Sequence, residues 1–181
     1  MNNIAEIKDI AETAMYMVTA LGAPIAAIWT LLQWREALQQ RKVEFRWKQA
    51  DLGRQLLDQL FDEPVAGVAL ELIDGELEFI ETPEDGKIRI ESNQIINALS
   101  NQDNESSVDK YIRKAFDYLL YYLERFEVMT RSNLVEIEDI SIPTKYYCMK
   151  MKPYMKEIST YANKTGYYNA LTLINKLQGQ D

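Results

Sequence analysis

Between Thr144 and Tyr168 the chain interleaves two side-chain types: Lys145, Lys150, Lys152, Lys156 and Lys164 alternate with Tyr146, Tyr147, Tyr154, Tyr161, Tyr167 and Tyr168. Phenol rings stack on bases or settle at a lipid interface, and ammonium groups neutralise phosphate. Lys145, Lys150, Lys152 and Tyr154 therefore form a candidate patch for RNA or for anionic headgroups. The same pattern also suits a fold with no ligand, in which rings are buried at helix contacts and lysines keep a face wet; this second reading is the preferred one. Asp85-Gly86-Lys87 is the acidic-x-Lys half of a metal-dependent nuclease motif. Such a motif needs a further carboxylate on a paired strand to hold its ion, and nothing in the sequence marks one. No Gly-rich phosphate loop is present, and the acidic runs around Asp74 and Glu136 read as solvated faces. No catalytic residue, metal site or cofactor is expected.

The absence of histidine removes several mechanisms together. Ser-His-Asp and Cys-His pairs, His-ligated zinc and the Arg-x(4-6)-His ribonuclease motif all require an imidazole, the side chain that titrates near neutrality unperturbed. Charge is also unevenly distributed. Residues 51–109 hold 3 basic and 15 acidic side chains, whereas 110–164 hold 10 basic and 7 acidic. The first segment repels phosphate backbones, so DNA is not an expected partner and any RNA contact belongs to the second segment. Cys148 is the single cysteine and cannot form an internal disulfide, which is compatible with a reducing cytosol.

The elements that must position these residues begin with an unusual one. Thr13 to Trp34 carries no charge over 22 residues, in a chain of which 27% is charged. As a helix rising about 1.5 Å per residue, that run matches a hydrocarbon slab of about 30 Å. The leader MNNIAEIKDIAE is acidic and the run is too long for a cleaved secretion signal. A buried soluble helix is the bland alternative, but such helices nearly always keep a charged face. A single transmembrane helix is the expectation, with 1–34 as leader and span and 35–181 as a cytosolic helical domain. Arg35, Arg41, Lys42, Arg46 and Lys48 follow the run while only Lys8 precedes it, which places the bulk of the chain on the cytoplasmic side. Trp34, Arg35, Arg41 and Lys42 are the expected interface anchors.

Within the run, Tyr16, Thr19, Ala23, Ala26, Thr30 and Gln33 follow spacings of 3, 4, 3, 4 and 3 and share one face, mostly small or polar. Val18, Leu21, Ile25, Ile28 and Leu32 form a bulky opposite face suited to lipid. Small residues let helix backbones approach, and polar groups in hydrocarbon seek partners, so the first face should meet other copies of the chain. It is either a packing seam, through Gly22-x-x-x-Ala26 and Ala23-x-x-x-Ala27, or the lining of a narrow lumen. Pro24 sits mid-run and removes one backbone bond, which is tolerated where neighbours re-satisfy the freed group.

Beyond Trp34 a helical pattern with Leu38, Phe45, Leu52, Leu56 and Leu60 continues to a stop at Pro64. PVAGVALEL reads as a short buried helix, and ELEFIE and KIRIES around TPEDG as a hairpin. SNQIINALS reads as a short helix and NQDNESS as a polar loop. Ser106 and Asp109 resemble a capping box opening the clearest amphipathic helix, with Ile112, Phe116, Leu119, Leu123 and Phe126 inward. A further helix should open near Pro143 and restart near Pro153, and NALTLINKL should close the domain. The fold class is all-α: a transmembrane helix continuing into a helical bundle with one short hairpin.

In layout, the chain resembles the small membrane-anchored helical accessory proteins of type VI, RNA-targeting CRISPR systems, or a related group of bacterial single-pass antiphage membrane proteins. The features that carry this are the run ending in LLQWRE, the basic helix RKVEFRWKQADL, and YLLYYLERFEVM followed by IPTKYY. The resemblance implies a homo-oligomer in the bacterial inner membrane that permeabilises the bilayer during antiviral defence, with an RNA-guided nuclease or its RNA product as partner. It shifts the reading of the small face from seam toward lumen, with both still open. It departs from that family's Arg-x(4-6)-His ribonuclease motif, since no His follows Arg113, Arg125 or Arg131, and a divergent ribonuclease is disfavoured. A membrane-tethered adaptor that recruits a cytosolic partner is the remaining alternative.

Overall fold

The computed structural model describes residues 3–82, 86–91, 93–100 and 106–179. The described chain is 84% helical with one small antiparallel sheet, as expected for an all-α bundle with a hairpin. In chain order the elements are α1 (Asn3–Asp62), α2 (Pro64–Asp74), β1 (Phe79–Thr82), β2 (Gly86–Arg89), α3 (Gln94–Ser100), α4 (Ser107–Arg131), α5 (Ile137–Lys150), a single 3-10 turn (Lys152–Tyr154), α6 (Met155–Thr165) and α7 (Tyr168–Gln178). Two compact units divide within α1, Met1–Trp47 and Lys48–Asp181. Polarity changes at Trp34, but packing changes only after Trp47.

In the first unit α1 runs unbroken through Pro24, whose ring nitrogen offers no hydrogen to the carbonyl of Ala20. Among the described residues no helix is long and apolar enough to cross a membrane. The side chains of Val18, Leu21 and Ile25, three of the most apolar in the uncharged run, lie outside the described residues.

The second unit forms where apolar stripes meet. Pro64 ends one helix and starts the next: it occupies the first turn of α2, where a missing amide hydrogen costs nothing, and the Glu63 side chain accepts from Val65 N. Gly75 closes α2 in the left-handed region at φ 76°, with its own amide and that of Glu76 bonded back to Leu72 O and Glu71 O. The hairpin pairs Phe79 with Arg89, Ile80 with Ile88, Glu81 with Lys87 and Thr82 with Gly86, and Ile80 points into the core. The NQDNESS loop falls mostly outside the described residues.

α4 is the axis of the bundle and packs on α2, α3 and α7. The five residues expected inward, Ile112, Phe116, Leu119, Leu123 and Phe126, are all buried. Truncating either phenylalanine to alanine would cost about 3–5 kcal/mol. The opening of α4 departs from a capping box. Ser106 occupies the cap position, but its side chain caps no backbone amide. Asp109 is buried and accepts from Gln94 Nε2 at 2.6 Å, so it ties α3 to α4 instead of facing solvent.

α5 also begins earlier than expected, at Ile137 instead of near Pro143. Extended backbone at Glu136 and the acids Glu138 and Asp139 in the first turn favour that start, and the packing of Val135 and Ile140 in the core outweighs the one backbone bond that Pro143 removes. The restart near Pro153 is observed, as the 3-10 turn between α5 and α6. α1 enters this unit tightly: a Cβ on Gly53 would lie 2.9 Å from Asp139 Cβ and 3.1 Å from Val135 Cγ1.

Candidate functional site

The candidate surface of the first unit is α1 itself. Met15, Tyr16, Met17, Ile28, Trp29, Leu31, Leu32 and Trp34 are all exposed, from 49% for Leu32 to 76% for Tyr16. At 100° per residue, Ile28, Trp29, Leu31, Leu32 and Trp34 spread over about 220° of the axis, and the remaining sector of about 140° carries Thr30 and Gln33, so the apolar surface is a broad face beside the small or polar one. Of the six residues expected on the small or polar face, Tyr16, Ala26, Thr30 and Gln33 are exposed, and the side chains of Thr19 and Ala23 lie outside the described residues. Thr30 Oγ1 donates to the Ala26 carbonyl at 2.8 Å. That hydroxyl is therefore satisfied within its own helix and does not demand a partner from another chain. A Cβ added at Gly22 would meet nothing within 4 Å among the described residues. Trp34, Arg35, Arg41 and Lys42, the expected anchors, are all exposed, as are Phe45 and Trp47 beyond them.

The second unit resolves the lysine–tyrosine segment into separate environments. Lys150 Nζ lies 3.5 Å from Asp74 Oδ1, which also accepts from the Tyr146 hydroxyl at 2.7 Å, and the ammonium sits 5.4 Å from the Tyr146 ring centroid. The hydrogen bond to Asp74 pushes Tyr146 above its ordinary pKa, and the bond to Tyr146 with Asp74 nearby pushes Lys150 up. Both groups hold their protons, the reverse of what a general base or nucleophile needs. Lys145 and Lys152 are exposed. Tyr154 is half-buried and lines a different feature, a groove of about 380 Å³ shared with Gly75, Glu78, Arg89, Glu91 and Ile95. Two carboxylates, Glu78 and Glu91, flank that groove beside Arg89, and Lys150 is paired with Asp74. Of the six tyrosines, Tyr161 is buried and donates to Asp117 at 2.9 Å, half-buried Tyr147 packs against Phe61 with ring centroids 6.0 Å apart, and Tyr146 and Tyr168 are exposed.

Of the acidic-x-Lys motif, Asp85 lies outside the described residues, and Lys87 on β2 sits 4.7 Å from the Phe79 ring centroid, a cation–π contact across the hairpin. Among the described residues no group of three or more Cys, Asp or Glu side chains could hold a metal ion.

Two tertiary features were not read from the sequence. Glu124 on α4 caps α7: one oxygen accepts from Ala170 N at 2.8 Å and the other from Asn169 Nδ2. α5 carries exposed apolar residues on the face opposite its buried one, Ile142, Tyr146 and Met149 against Ile140, Thr144 and Cys148. The spacing of 4 and 3 between those outer residues was a legible signal for the second face. Comparison with protein-family models, with curated proteins and with solved structures finds no significant match.

Proposed function

We propose that this chain is a single-pass membrane protein that assembles with its own copies and permeabilises the bilayer. The observation that carries this reading is the broad exposed apolar face of α1 from Ile28 to Trp34. A helix with no charge over 22 residues and a broad exposed apolar face belongs in a core or in lipid, and exposed apolar surface of this extent marks a membrane or protein contact. Lipid covers the bulky side chains and sister helices cover the small ones. The open space at Gly22 supports close helix approach there: a Cβ at that position would meet nothing within 4 Å among the described residues. The cations that follow Trp34 support an orientation with the Lys48–Asp181 unit on the cytoplasmic side of a bacterial inner membrane. The antiviral setting, with an RNA-guided nuclease or its RNA product as partner, is supported by the resemblance in layout.

Alkaline carbonate extraction tests the anchor. The full chain should stay with the membrane pellet and float with vesicles on a density gradient; release into the supernatant overturns the reading. A voltage-sensitive dye in expressing cells tests permeabilisation. Leakage should be lost when Ala23, Ala26 or Thr30 is replaced by a charged or bulky residue. Persistent leakage in membrane-bound variants would exclude a lumen on that face, and a membrane-bound chain that never leaks would be a tethered adaptor.

A further inference from the structure

We propose that the outer face of α5 is a two-fold interface with a second copy of this chain. The inference concerns the Lys48–Asp181 unit and does not rest on the membrane reading. α5 buries Ile140, Thr144 and Cys148 in the bundle. On its opposite side Ile142 is 83% exposed, Tyr146 48% and Met149 42%. These three follow spacings of 4 and 3 and form one apolar stripe. Tyr146 is held in the bundle by its hydroxyl bond to Asp74 and its edge contact with Tyr147, whereas Ile142, the most exposed of the three, is left to solvent.

The order of charge along the stripe selects the occupant. Glu138 stands at its amino-terminal end and Lys150 at its carboxy-terminal end, both exposed. These two are equidistant from position 144, and so are Ile142 and Tyr146. A second α5 laid antiparallel about a two-fold axis at that position sets Glu138 against Lys150 of the other copy, twice, and Ile142 against Tyr146, twice. The pattern is complementary to itself, as an isologous interface requires, and antiparallel helices also oppose their dipoles favourably. A parallel arrangement would put like charges side by side. Lys150 remains able to reach the second copy because its contacts with Asp74 and Tyr146 leave one of three ammonium hydrogens.

Thiol crosslinking of the full chain tests this, and Cys148 is silent in it because its side chain is buried. Two differently tagged copies, one Ile142→Cys and the other Tyr146→Cys, are mixed and oxidised with copper phenanthroline. Mixed-tag dimers should form about tenfold faster than between copies carrying Tyr168→Cys, a solvent-exposed position on α7, since docked thiols react at the effective concentration of the interface. Adding Glu138→Lys to both copies should slow the crosslink about fivefold, the effect of reversing two exposed pairs. Glu138→Lys in one copy with Lys150→Glu in the other should restore it, because both pairs are then opposite in sign. A rate equal to the Tyr168→Cys control, or no recovery in the charge-exchanged mixture, overturns the proposal.

Discussion

Thr30 Oγ1 donates to the Ala26 carbonyl one turn back along α1, at 2.8 Å. Two residues on the same expected contact face therefore satisfy each other, and the hydroxyl costs little in an apolar setting. What the face offers a second helix is small size, at Gly22 and Ala26, more than an unmet hydrogen bond.

Replacement of Thr30 by valine should accordingly leave self-association in detergent within about twofold of the native chain, whereas leucine at Gly22 or Ala26 should weaken it severalfold by holding the helices apart. Analytical ultracentrifugation of the solubilised protein separates the two effects. Equal loss for Thr30→Val and Gly22→Leu would show that the hydroxyl bonds between chains instead.

Gly53→Ala should destabilise the Lys48–Asp181 unit by about 1–3 kcal/mol, because its Cβ would lie 2.9 Å from Asp139 Cβ and 3.1 Å from Val135 Cγ1. The midpoint of urea unfolding, followed by circular dichroism of the full chain, measures this. Gly67→Ala is the control: it sits in α2 with open space around the added carbon and should be neutral or slightly stabilising.

Burial raises the pKa of Asp117 above its ordinary value, and the hydrogen bond from Tyr161 and the charge of Arg113 only partly offset it. A raised carboxyl pKa means that the folded state binds the proton more tightly than the unfolded chain. Asp117 therefore favours folding most at low pH, and that contribution is lost as pH climbs from the ordinary carboxylate value through the folded one. Asp117→Asn keeps an acceptor for Tyr161 and removes the titration. The stability of the variant relative to the native chain should rise with pH across that window and then level off. Urea midpoints taken at half-unit steps from pH 3 to 7 would reveal it, and a flat difference would contradict it.

Burial pushes the Cys148 thiol up to about 12, and the residue has no exposed surface. At pH 8 a maleimide should leave the native chain unlabelled for as long as it stays folded and should react promptly in urea, since only the thiolate is an effective nucleophile. Mass spectrometry of the labelled fraction against urea concentration should trace the same transition as circular dichroism.

The sequence by itself determined which elements exist and which side of the strongest one faces in. Apolar spacing on α4 named Ile112, Phe116, Leu119, Leu123 and Phe126 as core, and all five are. Turn chemistry around TPEDG named the hairpin, and the missing charges from Thr13 to Trp34 marked a helix of a different kind. Periodicity reports which face of an element is apolar because burial acts on the element's own side chains. It does not report which distant element arrives there. That Asp109 would receive Gln94, that Glu124 would cap α7, and that Lys150 would turn to Asp74 were decided only when segments far apart in the chain packed together. Pro143 makes the same point in the opposite direction: its local preference to open a helix was overridden because Val135 and Ile140, on either side of the true start, had a core to enter.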